Sequence, residues 1–88
     1  MESILCVNIP VQMISCTDTD GKITPLRFRF RDKDEELVTV QVDHVVSMDR
    51  NQAGVSCICS ATVYGQEKQF TLWYSFFSRT WQLSRLEV

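Results

Sequence analysis

Arg27, Arg29 and Arg31 stand two residues apart, interleaved with Leu26, Phe28 and Phe30. On an extended strand, side chains two apart share a face at a spacing of roughly 6.5–7 Å. The guanidinium groups therefore form a row on the wet side of a strand whose other side is aromatic. Planar donors at that pitch match a phosphate backbone and can stack on bases. The plainer use, and the preferred one, is a solvated sheet face that discourages edge pairing, with the acids at 32–36 and Asp43 as local counter-charges.

The other chemistry-bearing residues read more plainly. Asp18-Thr19-Asp20-Gly21 has the look of a calcium loop, but the first and twelfth positions of such a loop would be Cys16 and Arg27, and an arginine there repels the ion. Hairpin-turn chemistry explains the segment instead. Cys57-x-Cys59 puts two thiols on one strand face, yet Cys6, Cys16 and His44 lack the spacing to complete a tetrahedral site, so both are expected to act as small core hydrophobes. His44 follows Asp43, and neighbours on a strand point to opposite faces, which spoils an Asp–His pair. With no Gly-x-Ser-x-Gly elbow and no glycine-rich phosphate loop, no enzymatic activity, cofactor or metal is expected.

The elements that must position these residues are all strands. Segments 11–17, 23–31, 37–48, 55–63, 69–77 and 81–88 alternate or are apolar throughout, and turn residues separate them. Residues 1–9 read as an N-terminal arm or edge strand ahead of Pro10. A five-residue loop at 32–36 would pair Phe30 with Val38, Phe28 with Val40 and Leu26 with Val42; a slip of one residue would turn the arginines inward. A four-residue loop after Tyr64 would pair Val63 with Phe70, Ala61 with Leu72, Cys59 with Tyr74 and Cys57 with Phe76. Pro25 predicts a sheet edge or a bulge at its end of the strand, and the phase change from Leu83 to Leu86 predicts a bulge near Ser84-Arg85.

The expected fold is thus all-β: a single small domain over residues 1–88, an antiparallel meander of five to six strands closing into a barrel or two-layer sandwich. Its expected core is Leu26, Phe28, Phe30, Val38, Val40, Val42, Cys57, Cys59, Ala61, Leu72, Tyr74, Phe76 and Trp81. In that register Ile58, Trp73 and Phe77, with Tyr64, fall on the second face of the sheet. That much apolar surface calls for a cover, from Ile4, Leu5, Val7 and Ile9 or from another chain.

A chain of 88 residues with 44% hydrophobic content can fold without a staple. A formal net charge of −2 disfavours non-specific nucleic-acid binding, which rests on Lys and Arg displacing counterions. The start MESILCVNIP has no basic region and too short an apolar run for a secretion signal, and no stretch reaches the roughly 18 apolar residues of a membrane span. A cytoplasmic protein with free thiols is expected.

The segments IPVQMIS, ITPLRFRF, VDHVVS and TWQLSRL resemble an uncharacterised family of small all-β proteins from Gram-positive bacteria; the resemblance implies a fold and carries no activity. Trp81-Gln82-Leu83 and Pro25-Leu26-Arg27 also resemble parts of WYL domains, ligand-sensing small barrels of bacterial regulators, with Gln82 where that family has Tyr. The expected function is a non-enzymatic interaction module that binds a protein, or a second copy of itself, through Ile58, Trp73 and Phe77. The alternative is a small barrel that binds nucleic acid or a phosphate ligand through Arg27, Arg29 and Arg31.

Overall fold

The computed structural model describes residues 4–32 and 34–87. Residues 1–3 of the expected arm, Lys33 of the acidic loop and Val88 of the last strand lie outside them, as do the side chains of Ile4, Leu5 and Val7 that were expected to cover the aromatic face. The described chain is built of strands: β1 (Ile4–Thr17), β2 (Ile23–Arg31), β3 (Leu37–Gln41), β4 (His44–Arg50), β5 (Gly54–Val63), β6 (Gln66–Ser75) and β7 (Trp81–Glu87). They form one curled antiparallel sheet in the order β3-β2-β1-β7-β6-β5-β4, a half-barrel. Among the described residues no helix is long and apolar enough to cross a membrane.

Seven strands replace the expected five or six because the run 37–48 divides. Successive amides on a strand point to opposite edges. At the division the Val42 amide donates to the Leu26 carbonyl (2.9 Å) and the Asp43 amide to the Ser60 carbonyl (2.9 Å). These two residues therefore bring β2 and β5 together, and β3 and β4 lie at opposite ends of the sheet order. The curl follows from this tie.

The expected N-terminal arm is part of β1, which runs through Pro10 and lies centrally in the sheet. Ile4 to Val11 pairs with β7, and Gln12 to Thr17 pairs with β2. Pro10 is tolerated because pairing with β2 begins only at Gln12, so the missing N–H faces no partner strand. Pro25 marks a bulge, as its chemistry requires: Ser15 pairs with Pro25 and Ile14 with Arg27, leaving Leu26 as the extra residue. The bulge rephases the strand. Pro25 is buried and Leu26 is 45% exposed, so Leu26 leaves the expected core.

The β2–β3 hairpin has the expected register, with Phe28 opposite Val40, Phe30 opposite Val38 and Arg29 opposite Thr39. The β5–β6 hairpin does not. Val63 pairs with Gln66, Ala61 with Lys68, Cys59 with Phe70 and Cys57 with Leu72. A two-residue turn makes it: Tyr64 (φ 52°) and Gly65 (φ 78°) both adopt positive φ, the conformation whose twist matches flanking strands. The slip from the expected pairing is four residues. Being even, it leaves every side chain on its expected face.

The first two hairpin turns share one plan. Asp18 Oδ1 accepts from the amides of Asp20 and Lys22 (both 2.9 Å), and Asp32 Oδ1 accepts from those of Asp34 (2.8 Å) and Glu36 (3.0 Å). The positive-φ position is Gly21 (φ 83°) in one and Glu35 (φ 62°) in the other. A non-glycine residue there costs roughly 1–2 kcal/mol of steric strain.

The interior contains Phe28, Phe30, Val40, Val55, Cys57, Cys59, Ala61, Phe70, Leu72, Trp81 and Leu83. Val38, Val42, Tyr74 and Phe76 of the expected core are only partly buried and pack against it. Phe28 stacks on Phe30 (6.1 Å) and meets Phe70 edge-on (5.7 Å, 80°), which joins the β2 side of the curl to the β6 side. The predicted bulge in β7 is present. Phe70 pairs with Leu86 and Leu72 with Leu83, with the Ser84 hydroxyl donating to the Thr71 carbonyl (3.1 Å).

Candidate functional site

The arginine row survives folding intact. Phe28 and Phe30 point into the barrel, so Arg27, Arg29 and Arg31 stand exposed on the outer face of β2. β1 supplies Ile14 opposite Arg27 and Gln12 opposite Arg29; β3 supplies Gln41, Thr39 and Leu37 opposite Arg27, Arg29 and Arg31. Arg29 Nε donates to Gln12 Oε1, and Arg31 Nη1 donates to the Glu35 carbonyl (3.0 Å). Two surface depressions flank Arg29. One of ≈ 450 Å³ lies toward Arg27, walled by Gln12, Ile14 and Thr39; one of ≈ 320 Å³ lies toward Arg31, beside Pro10 and Leu37.

Two of the expected counter-charges have other partners. Asp32 Oδ1 accepts from the amides of its own turn, and Asp43 Oδ2 accepts from the Thr62 amide (3.0 Å) and hydroxyl (3.2 Å). The acids at 34–36 crowd the Arg31 end, while Arg27 has Ile14 and Gln41 for neighbours. Arg27 and Arg29 thus lie farther along β2 from the acidic turn than Arg31 does. Gln12 was not foreseen as part of this site, because its place depends on the β1–β2 register. Thr39 was legible from the hairpin register.

The aromatic surface is divided. Ile58 and Trp73 sit diagonally across β5 and β6 on the outer face, Ile58 opposite Thr71 and Trp73 opposite Ser56. Phe77 does not join them in the sheet. β6 ends at Ser75, and Phe77 is 84% exposed in the following turn. Tyr64 is 86% exposed in the turn at the other end of the hairpin. Phe77 was expected on the sheet face because that register carries its strand past Ser75, and Tyr64 because the expected turn begins only after it, whereas the turn is made by Tyr64 and Gly65 themselves. Val46, extruded by a bulge in β4 between Val45 and Ser47, is 56% exposed beside Ile58.

The remaining candidates take structural places. Burial pushes the Cys57 thiol up to about 11 and the Cys59 thiol up to about 12, the latter helped by its neighbour Cys57, so both stay protonated and pack as apolar groups. Among the described residues no three His, Cys, Asp or Glu side chains gather as a metal site requires. Asp18 serves its turn. His44 is exposed at the start of β4, while the Asp43 carboxylate is directed to Thr62.

No family model, curated protein or solved structure matches the chain.

Proposed function

We propose that the chain is a non-enzymatic binding module of a reducing cytoplasm, and that its working surface is the outer face of β1, β2 and β3, which takes a phosphate-bearing ligand. Single-stranded nucleic acid is the polymeric form of that ligand. The observation that supports this is the depression between Arg27 and Arg29, where two fork-shaped cations, the Gln12 amide and the Thr39 hydroxyl converge. The acidic turn beside Arg31 favours a short ligand or strand end over a long duplex, since like charges would repel its continuation.

Fluorescence anisotropy with a labelled deoxythymidine decamer tests it. Binding is expected at low ionic strength, falling with log salt at a slope of about −0.7 per phosphate engaged. Arg27→Ala/Arg29→Ala is expected to weaken it at least tenfold and Arg31→Ala much less. Absence of binding at low salt, or equal effects of the three alanines, overturns the proposal.

A second reading rests on Val46, Ile58 and Trp73, which adjoin on the outer face of β4, β5 and β6 next to an edge strand. It assigns that patch to a protein partner or a second copy of the chain. Sedimentation velocity over a concentration series is expected to show a dimer that Val46→Lys dissociates; a monomer at every concentration ends the self-association reading.

A further inference from the structure

Lys68 breaks the pattern of the sheet's inner face. It shares a row with Phe70 and Leu72, and it lies directly opposite Ala61, which is wholly buried. Its side chain is half-buried, the state expected of a lysine that lays its apolar stem along a wall and keeps its ammonium in water. Lys68 borders a cavity of ≈ 320 Å³ walled by Phe30, Val38, Val63, Phe70 and Leu86. That volume is at the low end of the roughly 300–1,000 Å³ typical of ligand sites, and barrel mouths are a recurrent place for them. Asp32, also on the rim, directs Oδ1 to the amides of Asp34 and Glu36. Asp32 keeps its negative charge, and among the described lining residues Lys68 supplies the positive one beside the apolar hollow.

From this we infer that the mouth binds a small amphipathic anion, with its alkyl chain inside the barrel and its carboxylate on Lys68. The site lies on the opposite side of the sheet from the arginine row and does not depend on it. The competing role of an inward-pointing lysine is to block strand addition at the opening between β3 and the end of β5.

Amide chemical-shift titration of the full chain with sodium octanoate and with 1-octanol distinguishes these. Octanoate is expected to saturate one site, move the amides of Val63, Lys68 and Phe70, and bind at least tenfold tighter than octanol. Lys68→Met is expected to remove that preference. Val38→Trp, which fills the cavity, is expected to abolish both titrations while amide dispersion shows the fold retained. The inference is overturned by non-saturating shifts, by octanol binding as tightly as octanoate, by insensitivity to Val38→Trp, or by shifts confined to Arg27 and Arg29. The last outcome would leave the arginine-row reading standing.

Discussion

Gly54→Ala is expected to destabilise the protein by about 3 kcal/mol, the upper end of the cost of overfilling a packed site. Gly54 is buried at the start of β5, opposite Ser75. A Cβ there would lie 2.0 Å from the Tyr74 carbonyl oxygen and 2.8 and 2.9 Å from two carbons of the Trp73 ring. The ring can rotate away at modest cost. The carbonyl cannot, because Tyr74 is held in the ladder with Val55, and moving it separates β5 from β6. Urea unfolding followed by circular dichroism checks this, with a large fall in midpoint expected. An unchanged midpoint would mean that these strands diverge at their end and the close approach is not maintained.

Phe28→Ala is expected to cost about 3–5 kcal/mol, the usual range for removing a fully buried aromatic ring. Phe28 is 2% exposed, and through Phe70 its ring links the two sides of the curl, so the cavity left behind cannot close without shifting both. A domain of 88 residues has a total stability of roughly 4–13 kcal/mol at 0.05–0.15 kcal/mol per residue, and the substitution would consume much of it. Arg29→Ala, one residue along on the outer face, is expected to change stability by no more than about 0.5 kcal/mol. Equal losses in the two variants, measured in the same unfolding assay, would contradict the facing of β2 on which the arginine row depends.

The facing of side chains was legible in the sequence where a period of two is strong. The run from Phe28 to Arg31 against Val38 to Gln41 is such a case, and its register follows from alternation plus loop length. The bulge in β7 was legible too, since Leu86 breaks step with Leu83. The bulge beside Pro25 was legible from the proline, but that it extrudes Leu26 was not, because an apolar residue appears in the very place where the pattern asks for one. Tyr64-Gly65 is not legible as a turn because a bulky residue at positive φ gives little local signal, and without that turn the pattern puts Lys68 in a loop instead of on the inner face. The arginine row was therefore readable, whereas its partner Gln12 and the barrel mouth were not. Those depend on which strands become neighbours, and alternation along a strand carries no information about that.

The place of β7 between β1 and β6 has a consequence for how the molecule is made. Synthesis proceeds from the N-terminus, so β1 to β3 and β4 to β6 emerge before the strand that joins them through the middle of the sheet. Until then the nascent chain presents two open borders, along the Ile4–Val11 half of β1 and along β6, each offering unpaired peptide groups to any neighbouring chain. Contacts between β1 and β7 pair Ile4 with Glu87 and Val11 with Trp81, far apart in sequence, which makes their formation slow compared with hairpin closure. The assembled sheet first becomes attainable when β7 is free to pair on both of its edges.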